Sequence, residues 1–146
     1  MSVFSAMNVS ATGMTAQQLR MDVISENIAN ANTTRTEDGS AYRRKTVIFE
    51  EKATTSFDNI LNGYMTNYQP NGVKVNRIVE DKSDLRLVYE PDNPDANENG
   101  YVEYPNVDTV TEMTNLIDSS RAYEANVTAF NAAKNIAVKG LSLFNS

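Results

Sequence analysis

The stretch MTNLIDSSRAYEANVTAFNAAKNIAVKGLSLF, residues 113–144, decides the fold. Met113, Leu116, Ser120, Tyr123, Val127, Phe130, Ala137, Leu141 and Phe144 recur at alternating steps of three and four, and Lys134 breaks the rhythm. Apolar residues at that spacing share one helix face, and a stripe sustained over several heptads marks a coiled-coil seam. Pro105 precedes the run, and Asp108 followed by Glu112 suits its start, because acids favour the positive end of the helix dipole. A helix unbroken from Asp108 to Ser146 would be roughly 58 Å long. That is too long for a compact body of 146 residues, so it needs a partner along its length. Val110, Ile117, Ala122, Ala129, Ala133 and Val138 lie off the stripe. A helix apolar on several sides is buried on several sides, which implies neighbouring copies of the chain.

The opposite end supplies the intramolecular partner. Phe4, Met7, Ala11, Met14, Met21 and Ile28 follow the same alternation, with Gln18 and Ser25 in the gaps and Ile24 widening the stripe. Gly13 sits inside this helix at a cost of about 1 kcal/mol relative to Ala. The helix runs into ISENIANANTT (24–34), whose Asn and Thr are mediocre helix formers.

Between the helices the pattern changes period. YRRKTVIFEEK (42–52), GVKVNRIVED (72–81), DLRLVYE (84–90) and YVEY (101–104) alternate or are β-branched, as strands do, and QPNG (69–72) signals a turn. Phe57, Ile60, Leu61 and Tyr64 have helical spacing in a polar setting. The expected fold is therefore α+β: long terminal helices in a coiled-coil-like domain and a small β-rich middle. The expected divisions are 1–35, 36–104 and 105–146. Charge supports them. The four charges of residues 1–35 cancel, residues 36–107 hold 13 acids and 8 bases, and residues 108–146 hold 4 acids and 3 bases.

Composition narrows the chemistry. A net charge of −6 argues against nucleic acid as a partner. Arg43, Arg44 and Lys45 form the one basic cluster and read as the solvated end of a strand. The chain has no His and no Cys, which removes the commonest general base, thiol nucleophiles and disulfides. No paired carboxylates, Lys or Tyr form a recognisable catalytic motif, so no enzyme, small-molecule substrate or cofactor is expected. Asp95, Asn97, Asn99 and Gly100 match the opening of an EF-hand loop, but the twelfth position is Asn106 rather than a bidentate Glu. A polar turn with Gly100 at positive φ is the expectation instead, and no metal. No apolar run is long enough to span a membrane, and MSVFSAMNVSATGM lacks the basic start of a secretory signal. These features alone suggest a cytoplasmic protein.

GMTAQQLRMDVISENIANANTTRT (13–36) resembles the N-terminal signature of bacterial flagellar axial proteins, and PNVDTVTEMTNLIDSSRAYEANVTAFNAAKNIAVKGLSLF (105–144) resembles their C-terminal one. With YRRKTVIFE (42–50) and VYEPDNPDANENGYVEYPNVD (88–108), the resemblance narrows to proximal-rod subunits of the flagellar basal body and covers nearly the whole chain. It implies a structural subunit whose terminal helices polymerise into a torque-carrying shaft, exported by the flagellar type III apparatus without a cleaved signal. That places it in the rod across the cell envelope and replaces the cytoplasmic expectation. The implied partners are copies of itself, other rod proteins and the membrane-ring junction at the rod base. The resemblance assigns an assembly seam to Met14, Met21, Ile28, Leu116, Tyr123, Val127, Phe130 and Leu141. Asn27, Asn30 and Asn32 would bond exposed backbone or neighbouring subunits where the first helix leaves the tube. The alternative is a soluble coiled-coil adaptor with a ligand-gripping β middle.

Overall fold

The computed structural model describes residues 3–52 and 71–144. In chain order the elements are α1 (Val3–Ala29), β1 (Lys45–Glu51), β2 (Val73–Glu80), β3 (Arg86–Tyr89), β4 (Tyr101–Tyr104) and α2 (Thr109–Phe144). Two long helices therefore bracket a small β module, and the fold is α+β. The expected helical spacing at Phe57, Ile60, Leu61 and Tyr64 lies outside the described residues. α1 has 27 residues and α2 has 36, so they extend roughly 41 and 54 Å.

Both helix ends follow from local chemistry. Asp108 is the N-cap of α2: its Oδ1 accepts from the backbone N–H of Val110 at 2.9 Å and of Thr111 at 3.4 Å. Those bonds, Thr111 first, hold its carboxyl below the usual carboxylate range. α1 ends where Asn30 donates from Nδ2 to Glu26 O at 3.0 Å, and Asn30 O accepts from Thr33 N at 3.1 Å. A turn with Gly39 at φ 79° then leads the chain towards β1.

The strands form two separate two-stranded sheets, β1 with β2 and β3 with β4. Lys52 N bonds Gly72 O at one end of the first, and Asp81 N bonds Arg44 O at the other, so that pair runs antiparallel. β3 and β4 are antiparallel, with Arg86 opposite Tyr104 and Tyr89 opposite Tyr101. Their connection is the polar turn expected from sequence. Asn97 Oδ1 accepts from Asn99 N and Tyr101 N, each at 3.0 Å, and Gly100 has φ 79°.

Two compact units share the chain, and each draws on both helices: Met1–Gln18, Phe49–Asn76 and Ser120–Ser146 in one, Leu19–Ile48 and Arg77–Ser119 in the other. In the first, Gly13 lies where any side chain would meet Asn126, since a Cβ there would stand 2.6 Å from its Oδ1. The cost of Gly13 noted above thus permits a close approach between α1 and α2. Thr12 Oγ1 in the same unit donates to Val9 O and accepts from Val73 N, tying α1 to the start of β2. The second unit buries Val23, Ile24, Ala41, Tyr42, Val102 and Pro105.

The inward stripe of α2 is broader than the expected one and differs from it at Met113 and Leu141. Its buried or half-buried positions are Thr109, Glu112, Asn115, Leu116, Ser119, Ser120, Ala122, Tyr123, Asn126, Val127, Phe130, Ala133, Ala137 and Gly140. Leu116, Ser120, Tyr123, Val127, Phe130 and Ala137 are as expected, but Met113 and Leu141 turn outward, and Glu112 and Gly140, one residue earlier, take the inward places. Met113 is 52% exposed and Leu141 66%. On α1 the expected stripe also turns outward in part, because Phe4, Gln18 and Ser25 are exposed whereas Ala16, Val23 and Ile24 are buried.

Candidate functional site

Asn27 occupies the last turn of α1, on the face that carries Val23 and Ile24, and it is 0% exposed. An amide buried so completely must use all its hydrogen-bonding groups. It does. Oδ1 accepts from Tyr42 OH at 2.9 Å and from Lys45 N at 2.8 Å. Nδ2 donates to Lys45 O at 2.8 Å and to Glu112 Oε2 at 2.9 Å. The side-chain amide thus pairs with the main chain of Lys45 as a neighbouring strand would, at the start of β1. One residue joins α1, the segment entering β1, and α2.

Glu112 is the second member and is 1% exposed. Its Oε1 accepts from Arg44 Nε at 2.9 Å and Nη2 at 2.7 Å. A carboxylate in this position is tolerable because a guanidinium and an amide satisfy it together. Arg44 reaches further, placing Nη1 3.6 Å from Asp81 Oδ2. Its backbone N–H donates to Asn106 Oδ1 at 2.8 Å, while Asn106 Nδ2 donates to Asp81 O at 3.1 Å and Ser83 Oγ at 2.8 Å. Bonds from Ser83, with Arg44 adding to them, hold the Asp81 carboxyl below the usual range. Burial, and then the carboxylates of Glu26, Glu112 and Glu80, push the Tyr42 hydroxyl up to about 12. The polar groups of the junction are bonded to one another. Its chemistry is to fix three segments of backbone.

Several assignments change here. The basic cluster is no solvated strand end, since Arg44 serves a buried carboxylate, Lys45 pairs with Glu26 and lies 5.5 Å from the Tyr42 ring centroid, and Arg43 donates to Ser83 O. Glu112 stands in the first turn of α2, as expected, and is in addition a buried network acid. Of the Asn cluster, Asn27 bonds within its own chain, Asn30 caps α1, and Asn32 is exposed. Sequence reasoning missed Tyr42, Arg44, Glu112 and Asn106 as a set. The available signal was an acid, Glu112, standing in line with the buried layers of α2 and a cationic pair across the chain.

The seam candidates take two environments. Met14, Met21, Ile28, Leu116, Tyr123, Val127 and Phe130 are half-buried and Leu141 is exposed. Beside them the helices leave large apolar groups bare: Phe4 and Val110 at 74%, Ile136 at 62%, Val138 at 56% and Leu143 at 78%. Among the described residues no group of His, Cys, Asp or Glu is placed to hold a metal, and no helix is long and apolar enough to cross a membrane.

The helices are also where the chain matches known families. Residues 7–35 match the model described as flagella basal body rod protein, and residues 98–143 match that described as flagellar basal body rod FlgEFG protein C-terminal. The chain is 50% identical to the flagellar basal-body rod protein FlgC of Bacillus subtilis, over 98% of this chain and 99% of that one. It is 45% identical to FlgC of Borreliella burgdorferi and 38% identical to FlgC of Salmonella typhimurium, in each case over 98% of both chains.

Proposed function

The chain belongs to the FlgC-type flagellar basal-body rod proteins, and from that premise we propose that its terminal helices are the parts that polymerise. It is a structural proximal-rod subunit of the flagellar basal body, and it assembles with other rod proteins. The relatives are named as rod proteins, which implies a non-enzymatic role for this chain.

The observation that carries the polymerisation reading is the set of large apolar side chains left bare along α2, together with Phe4 on α1. Phe4, Val110, Val138, Leu141 and Leu143 are each more than half exposed, and large apolar side chains left bare on a helix are candidates for protein–protein contact. Neighbouring copies and other rod subunits cover it, with Met14, Met21, Ile28, Leu116, Tyr123, Val127, Phe130 and Leu141 at or beside the contact. Residues 1–35 and 105–146 then form the inner axial part, and residues 36–104 lie outside it. Head-to-tail contacts that do not close build such a shaft. A soluble adaptor would have no need of large apolar side chains left bare along a terminal helix. Export through the flagellar type III apparatus and docking at the membrane-ring junction complete the reading. Absence of Cys suits a chain that crosses a narrow channel uncrosslinked.

Val138→Asp combined with Leu141→Asp tests this. Both side chains are exposed, so the isolated protein should keep its helix content and melting temperature, while cells carrying the variant lack complete rods and do not swim. Normal swimming would remove the helix face from the assembly contact.

A further inference from the structure

The outer face of the β3–β4 ribbon is open to solvent, and at Tyr101 and Glu103 it borders a concavity lined also by Thr34, Arg35 and Ser40. Leu87, Tyr89 and Tyr101 are 60, 63 and 43% exposed. The register sets Leu87 opposite Glu103 and Tyr89 opposite Tyr101, so these four share that face. The tyrosine rings meet edge to face with centroids 5.2 Å apart. Val88 and Val102 take the other face, where Val102 is 1% exposed.

The ribbon is also acidic. Residues 84–103 hold six carboxylates against one cation, Arg86. Glu90 accepts from Tyr104 OH and from Asn93, and Asp95 accepts from Thr34 with Arg35 3.6 Å away. Asp84, Asp92, Glu98 and Glu103 are exposed and have no cationic partner among the described residues. Arg86 does not offset them at the outer face, because its guanidinium sits 5.4 Å from the Tyr104 ring centroid on the inner side.

We propose that this face docks a protein other than a second copy, through a surface that sets arginine or lysine side chains around an aliphatic centre. Tyrosine faces attract cations, arginine above all, and the surrounding carboxylates would steer and pair them. Leu87 supplies the apolar contact at the centre. A second copy is the wrong occupant on charge. It carries −6 overall, and its residues 36–107 hold 13 acids to 8 bases, so like charges would meet. The inference rests on the rod reading only for the place where the partner is met.

The test replaces Tyr89 with the photocrosslinker p-benzoylphenylalanine in cells that assemble rods, and isolates basal bodies after irradiation. The expected product is an adduct to a different protein whose crosslinked peptide carries Arg or Lys beside aliphatic residues. Its yield should fall on the order of tenfold when Glu98→Lys and Glu103→Lys are added. These side chains are exposed, so the charge variant should melt with its parent. If it does not, Leu87→Glu takes its place and should lose the adduct equally. An adduct between two copies, an adduct to an acidic or uncharged peptide, or no adduct on chain recovered with basal bodies would each overturn the proposal. Chain missing from basal bodies altogether would instead sink the rod assignment.

Discussion

At the scale of single residues, Asn27 concentrates more consequence than any other side chain described. Asn27→Ala removes four hydrogen bonds and leaves Tyr42 OH, both main-chain groups of Lys45 and one oxygen of Glu112 unpaired in a buried site. Each orphaned group costs about 1–3 kcal/mol and the costs overlap, so we expect a loss of about 3 kcal/mol or more in urea denaturation. A loss under about 1 kcal/mol would mean that water replaces the amide without penalty. The same junction sets an alkaline limit. Tyr42 has its hydroxyl raised to about 12, so its contribution is complete below pH ~10 and is lost as pH rises through about 12. Tyr42→Phe should flatten the stability profile in that window. The sequence singled out Asn27 as one of the Asn residues where the first helix ends, yet its partners lie 15, 18 and 85 residues away. Periodicity reports which face a residue occupies. It carries no information on which distant polar group meets it.

At the scale of elements, α2 shows where a hydrophobic pattern misleads. Every second layer of its inward stripe is Glu112, Ser119, Asn126, Ala133 or Gly140, none of them a large apolar residue. The polar ones are tolerated because each is satisfied at once. Ser119 Oγ donates to Asn115 O and Asn126 Nδ2 donates to Ala122 O, both at 2.8 Å. Met113 and Leu141, beside Glu112 and Gly140, face outward, so a reading by apolarity misplaces those two layers by one residue, while Val127 beside Asn126 is half-buried as read. Lys134, which breaks the expected rhythm, stands next to the buried Ala133. The strands were legible within a few residues, because β1 to β4 each carry β-branched or aromatic runs bounded by turn residues. Gly13 tests the close approach. Gly13→Ala should gain about 1 kcal/mol in helix propensity but lose more by displacing Asn126 from its bond to Ala122, for a net destabilisation. In an Asn126→Ala background the obstacle is gone, and Gly13→Ala should turn stabilising. Destabilisation in both backgrounds would show that Asn126 is not what excludes a side chain at position 13.

At the scale of the whole molecule, the two compact units differ in what encloses them. The unit of Leu19–Ile48 and Arg77–Ser119 contains the Asn27 junction and buries Val23, Ile24, Tyr42 and Val102. The other unit holds the outer lengths of both helices, where Phe4, Ile136, Val138, Leu141 and Leu143 are exposed and only Ser10, Ala16 and Ala133 are buried among the described residues. Isolated helix of that quality is marginal in water, because nucleation is unfavourable and tertiary burial supplies most helical stability. The limit of independent order should therefore fall inside each helix, near Gln18–Leu19 and Ser119–Ser120, rather than at residues 35 and 105 where the helices join the β module. Amide exchange on the dilute subunit reads this directly. Amides of residues 19–29 and 109–119 should be protected together with β3 and β4, while those of 3–18 and 120–144 exchange rapidly. In assembled rods both lengths should be protected, since neighbours bury the aliphatic faces. Asn27→Ala should remove protection from the inner lengths, which separates the junction from mere helix propensity as its source. Equal protection along all of α1 and α2 in the free subunit would show that the helices are ordered before they meet a neighbour, and that assembly adds contacts without adding order.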